Sequence, residues 1–145
     1  MGKSSTDTCC LTLPLKLEKW QEDRLAKRFE IARQIYNTMV RAELKKLERV
    51  KQLPEYRKNQ KEIQELDWKN SADKPRLKEL RANQKRILQK QGFTEYGFKA
   101  DSKDYYKHFI ENIGSSVATH GIAPQVWNAF DKMLFQKDGC QTNQY

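Results

Sequence analysis

Apolar positions alternate in only one place. In Cys10-Leu11-Thr12-Leu13-Pro14-Leu15-Lys16-Leu17 the four leucines fall on one face and Thr12, Pro14 and Lys16 on the other. A period of two predicts a strand. Pro14 has no N–H for a ladder, which makes it an edge strand or a strand end. No second convincing strand appears anywhere in the chain. From Lys19 to Lys51 there is neither Gly nor Pro, and Leu25, Phe29, Ala32, Tyr36, Met39/Val40, Leu44 and Leu47 recur at three- and four-residue steps. That spacing predicts one long amphipathic helix. Pro54 opens a second helix over 54–69, carrying only Tyr56, Ile63, Leu66 and Trp68 as large apolar groups. Asn70 to Lys74 is a turn, and Pro75 opens a third helix to about Gln91, with Leu77, Leu80, Ile87 and Leu88 on one side and Gly92 as its C′ residue. The second and third helices read as a thin, charged antiparallel hairpin that buries little and projects.

Further on, Thr94 caps a short turn with Phe93, Tyr96 and Phe98 packing inward. Ser102 is the expected N-cap of a helix over 103–113 bearing Tyr105, Tyr106, Phe109, Ile110 and Ile113. Residues 117–121 are ambiguous, and Pro124 opens a last helix to about Gln136 with Val126, Trp127, Phe130, Met133, Leu134 and Phe135. The expected fold class is mainly α: a helical bundle with a charged hairpin and one orphan N-terminal strand. Its expected organisation is a flexible N-terminus (1–9), an edge strand (10–18), a helical lobe (19–137) with the hairpin at 54–91, and a disordered tail (138–145). The C-terminal aromatics and the long first helix are expected to make the core.

Charge changes the picture. The 145 residues hold 28 Lys and Arg against 19 Asp and Glu, a net +9. Residues 1–40 contribute +2, residues 41–90 contribute +8 and residues 91–145 contribute −1. A block of positive charge points to a polyanion, through phosphate neutralisation and counterion release. The alternative is a solvated Lys/Glu helix face. An acidic membrane surface fits less well, because the basic segment lacks a strong opposing apolar face. No apolar run approaches the roughly 20 residues of a membrane span, and no apolar stretch follows the N-terminus as a secretory signal would require. Gly2 followed by Thr6 has the spacing of a myristoylation start, although an ordinary polar terminus is the simpler reading.

Little points to catalysis. Cys9 and Cys10 adjoin and Cys140 stands apart, with no zinc spacing. A reduced, cytoplasmic chain without metal or cofactor is the expectation. There is no Gly-rich phosphate loop, GxSxG or HExxH. His108 is expected beside aromatics, partly buried and structural, and His120 at a turn in solvent or in a cap. The carboxylates lie among Lys and Arg, and no two are spaced as a metal or acid/base pair. The chain alone does not read as an enzyme.

One ordered combination carries more. Leu13-Pro14-Leu15-Lys16-Leu17, Lys19-Trp20-Gln21-Glu22-Asp23-Arg24-Leu25 and Phe29-Glu30-Ile31-Ala32-Arg33-Gln34-Ile35-Tyr36-Asn37 resemble the start of the transposon-encoded OrfB/TnpB proteins, which are related to the type V CRISPR effector nucleases. The positions that match are Gln21, Leu25, Arg33, Tyr36 and Asn37. Gly92 to Tyr96 and Val126 to Phe135 are similar to parts of that family's helical recognition lobe, whereas 54–91 matches only as a charged helical insert.

The resemblance implies that the lone strand belongs to a wedge-like barrel. It also implies that a nuclease domain with three acidic metal ligands and a zinc ribbon would follow, none of which lies in these 145 residues. No catalytic residue carries over. The family's lobe cradles a guide RNA–target DNA heteroduplex by its backbone. By that resemblance the nucleic-acid-binding residues are Lys16, Arg24, Lys27, Arg28, Arg33, Asn37, Arg76, Lys78, Arg81, Lys85 and Arg86. Tyr36 lies on the apolar stripe, where core packing is the simpler role, and Trp20 either stacks on a base or packs on the leucine strand. The expected function is therefore non-catalytic binding of RNA or DNA. Its rivals are a helical protein-interaction module and a non-functional remnant. The exposed leucine edge adds weak self-association.

Overall fold

In a computed structural model, the described residues are 9–109 and 111–135. They form five α-helices in the order α1 (Lys19–Lys51), α2 (Pro54–Glu65), α3 (Lys74–Lys90), α4 (Glu95–Tyr106) and α5 (Ala123–Phe135). A turn of 3₁₀ helix, Lys107–Phe109, follows α4, and a turn of π-helix, Val117–Ile122, runs into α5. The mainly α reading holds.

Helix α1 starts where Gln21 reaches back: its Oε1 accepts the Glu18 N–H at 2.9 Å, half of a capping box. It then runs about 50 Å without a break. Leu53 and Pro54 end it, because proline lacks the N–H that a further turn would use. The buried positions of α1 are Ile31, Ile35, Met39, Glu43, Leu47 and Val50. The seam is thus offset by one residue from the expected stripe. Ala32, Tyr36 and Val40 flank it half-buried, while Phe29 and Leu44 are exposed. The face that α4, α5 and the π-turn cover decides the seam, and that is a tertiary fact with no mark in the spacing. Tyr36 does pack against the core.

The core sits where the second half of α1 meets α4, α5 and the π-turn. Phe93 and Phe98 are fully buried and meet edge-on at 5.9 Å between centroids, and Phe130 and Trp127 both lie 5.3 Å from Phe98. Ala118 and Ala123 are also fully buried, and their small side chains let the backbone approach α4. The connection from α3 depends on two glycines. Gly92 takes φ +89°, a left-handed helix end that other side chains rarely adopt. A Cβ on Gly97 would stand 2.1 Å from the Gly92 carbonyl oxygen.

Several expectations are corrected here. Thr94 Oγ1 accepts the Gly97 N–H at 3.0 Å and caps a full helix, not a short turn. Ser102 therefore lies inside α4, buried, its hydroxyl donating to the Lys99 carbonyl at 2.6 Å, and caps nothing. The expected helix over 103–113 is split, because α4 has already begun eight residues earlier and ends at Tyr106. Helix α2 stops at Glu65, short of 69, where Leu66 turns to extended backbone. Tyr96 points out to solvent, and His108 is exposed.

Residues 9–18 form no strand, and none exists among the described residues. Leu11, Leu13 and Leu15 are 70–83% exposed. A ladder needs a neighbour, and none is there. Trp20 does not pack on the leucines: it is 54% exposed, its Nε1 donates to Glu18 and Arg24 lies over its ring. The expected flexible start at 1–8, Ile110 and the expected tail at 136–145, Cys140 included, lie outside the described residues.

Candidate functional site: a basic helical surface and a buried ionic cluster

All eleven sequence-predicted positions are exposed: Lys16, Arg24, Lys27, Arg28, Arg33, Asn37, Arg76, Lys78, Arg81, Lys85 and Arg86. The fold sorts them into two sets. Arg24, Lys27 and Arg28 converge on a cleft of about 310 Å³ that Glu111 and Asn112 complete. Lys16 lies ahead of α1, and Arg33 and Asn37 lie further along its exposed side. The five hairpin residues all belong to α3.

Helix α3 is the most polarised element of the chain. Its 17 residues hold seven Lys and Arg and a single acid, Glu79. Leu77, Leu80 and Leu88 bury one side. Lys74, Lys78, Arg81 and Lys85 recur at steps of four, three and four, which places them in one exposed row. The row is about 16 Å long, with about 4.5–6 Å between neighbours along the axis.

Partners separate these cations further. Arg76 is held by Glu62 at 2.8 Å and Glu79 at 2.9 Å. Arg33 is held by Glu30 at 2.7 Å, and that guanidinium keeps the Glu30 carboxyl below its ordinary pKa. Such exposed pairs are screened by solvent and add little stability, but they do compete with a phosphate. Lys78, Arg81, Lys85 and Arg86 have no carboxylate partner among the described residues; Lys85 Nζ lies 5.2 Å over the Phe135 ring.

The sequence reading missed a second basic cleft, of about 390 Å³, lined by Lys51, Tyr56, Arg57, Gln60, Lys61 and Gln64. Its signal was present: Arg57, Lys61 and Gln64 follow i, i+4, i+7 on α2, with Gln60 beside them.

The sequence reading also missed an ionic cluster between α1 and α4, in which two carboxylates distant in sequence meet at one lysine. Glu43 is 2% exposed, within the apolar seam of α1. Its Oε2 has no hydrogen-bond partner. Lys46 Nζ approaches that oxygen at 3.4 Å but donates to Asp101 Oδ2 at 2.9 Å, and it also lies 5.2 Å over the Phe93 ring. Burial, and then the Asp101 carboxyl beside it, push Glu43 up to about 7. The same burial and the same two acids raise Tyr105. One lysine serves two carboxyls here. No group of three or more metal-ligating side chains occurs among the described residues.

No protein-family model, curated protein or solved structure matches the chain. No helix among the described residues is long and apolar enough to cross a membrane.

Proposed function

We propose that the chain binds nucleic acid through its phosphate backbone, without catalysing a reaction on it, in the manner of the recognition lobe of an OrfB/TnpB-type protein. The observation that carries this reading is α3: six net positive charges on 17 residues, with Lys74, Lys78, Arg81 and Lys85 in an exposed row. A solvated Lys/Glu face would mix its signs, as α2 does with three acids and three bases interspersed; α3 does not. The two basic clefts add further cations, and Gln60, Gln64 and Asn112 add amide donors suited to phosphate oxygens. Arg81 and Arg86 supply forked donors, and the lysines act as point charges.

Titrating the chain with labelled duplex and single-stranded RNA and DNA across salt tests this. Contact with four phosphates gives a slope of log K against log salt near −3 to −4. Replacing Lys78, Arg81 and Lys85 together by Gln lowers that slope by about 2–3. A slope near zero, or no binding at about 50 mM salt, overturns the reading.

A further inference from the structure

The hairpin ends in a feature that its fold does not use. The tip between α2 and α3 runs Asp67-Trp68-Lys69-Asn70-Ser71-Ala72-Asp73, and Trp68 is 67% exposed there. The tip itself is well built. Asp73 Oδ2 accepts the Asp67 N–H at 3.2 Å, Asp67 Oδ1 accepts the Lys69 N–H at 2.9 Å, and Asn70 Oδ1 accepts the Ala72 N–H at 3.1 Å. Those bonds order the backbone without any help from the indole. Trp20, the other exposed tryptophan, differs: its N–H is taken by Glu18 and its ring carries Arg24. Among the described residues Trp68 has no hydrogen-bond partner, and Lys69 Nζ sits 5.4 Å from its ring centroid.

The bond between residues 67 and 73 puts Trp68 beside the start of α3, where the row of Lys74, Lys78, Arg81 and Lys85 begins. An apolar ring adjoining a track of cations matches a polymer with phosphates along one edge and flat bases along the other. In a duplex the base faces are stacked inside and unavailable to a side chain. In a single strand they are open, and any base stacks on an aromatic ring.

We propose that Trp68 is a stacking platform for an unpaired base, so that the hairpin binds single-stranded nucleic acid in preference to duplex. The strand lies along α3 with its phosphates on the lysine–arginine row and one base on the indole. This inference rests on the nucleic-acid reading above and adds the strandedness of the ligand and the residue that selects it. The acids at the tip, Asp67 and Asp73, are engaged with backbone N–H groups.

Fluorescence anisotropy with the full chain tests it, using labelled oligo(U), oligo(dT) and a mixed-sequence duplex of about 20 nucleotides at about 50 mM salt. The unaltered chain is expected to bind the single strands more tightly than the duplex. Trp68→Ala weakens single-strand binding by about 5- to 150-fold and duplex binding less than about twofold. Trp68→Phe, which keeps a ring, retains most of the affinity, and identical melting curves show that neither variant alters the fold. The Lys78, Arg81 and Lys85 triple Gln variant weakens both ligands together. If Trp68→Ala leaves single-strand binding unchanged, or weakens duplex and single strand equally, the platform is wrong while backbone binding stands. If no oligonucleotide binds the unaltered chain, both readings fall.

Discussion

Around Phe98 the chain gathers five aromatic rings at centroid spacings of 5.3–6.2 Å, with the Lys46 and Lys85 ammonium groups seated over the outer side of the cluster. Between α2 and α3 it encloses Leu77, Leu80, part of Tyr56 and the amide of Asn59, whose Nδ2 donates to the Leu80 carbonyl at 2.8 Å. The first region is built to stay folded. The second holds together with a few apolar contacts, one buried side-chain bond and surface polar pairs such as Gln84–Gln60 at 2.8 Å, and commits its remaining surface to cations. The difference shows how one chain divides its residues: stability is concentrated where α1 meets α4 and α5, and the hairpin is left with sequence to spend on charge.

The largest expected break in this contrast is Phe98→Ala. Removing a fully buried ring that touches Phe93, Trp127 and Phe130 costs about 3–5 kcal/mol. Leu80→Ala costs about 2–3 kcal/mol and opens the hairpin while the aromatic region stays closed. Urea unfolding gives the two totals, and amide hydrogen exchange shows whether protection is lost throughout or only across α2 and α3. Equal loss of protection everywhere in the Leu80 variant would merge the two regions into one cooperative unit.

Glu43 lies at the border of the stable region, and its effect depends on pH. The carboxyl titrates at about 7 in the fold against an ordinary 4.5. A raised acid favours the fold most below the unfolded value, and that advantage is lost as pH climbs through the folded one. The protein is therefore expected to be less stable at pH 8 than at pH 5 by roughly 2–3 kcal/mol. Glu43→Gln flattens the profile and makes the chain more stable than the original at pH 8. Thermal melts of both proteins across that range check it; a profile that Glu43→Gln leaves unchanged assigns the slope to another group.

At Gly97 the usual rule is reversed. Glycine to alanine inside a helix ordinarily stabilises by up to about 1 kcal/mol, but here the added Cβ would lie 2.1 Å from the Gly92 oxygen. Gly97→Ala is expected to lower the melting temperature, whereas Gly121→Ala, with open space around its Cβ, is not. The smallest expected effect belongs to the hairpin surface. Arg76→Ala is expected to leave the melting temperature nearly unchanged despite two ion pairs, because both are screened by solvent. Beyond stability, Leu13→Lys with Leu15→Lys is expected to reduce concentration-dependent self-association in sedimentation, because both leucines are solvent-exposed.

The sequence announced α1 from Lys19 to Lys51, the proline-opened α2 and α3, the glycine that ends α3, and the aromatic core. These follow from local rules: absent breakers, fixed proline torsions, a position only glycine fills easily. The extent of α4 was hidden, since Gly97 reads as a breaker until its close approach to Gly92 is known. Which of two neighbouring stripes of α1 would be buried was hidden as well, because Leu44 and Phe29 score as core while Glu43 scores as surface. For the candidate site, exposure of the basic residues was legible and their grouping was not. That Arg24, Lys27 and Arg28 share a cleft with Glu111 and Asn112 depends on contacts across more than 80 residues.

The unbroken length of α1 has a geometric consequence of its own. Its buried positions begin at Ile31, so the mostly exposed turns from Lys19 to Glu30 form the end of a shaft, with Arg24, Lys27 and Arg28 facing Glu111 and Asn112 across a cleft. A rigid shaft transmits phase. One residue inserted near Glu30 would turn that end by about 100° and advance it about 1.5 Å, while four would return it to within about 40° and advance it about 6 Å. The residue count of α1 thus sets the angle at which the cations of its first turns meet Glu111 and Asn112.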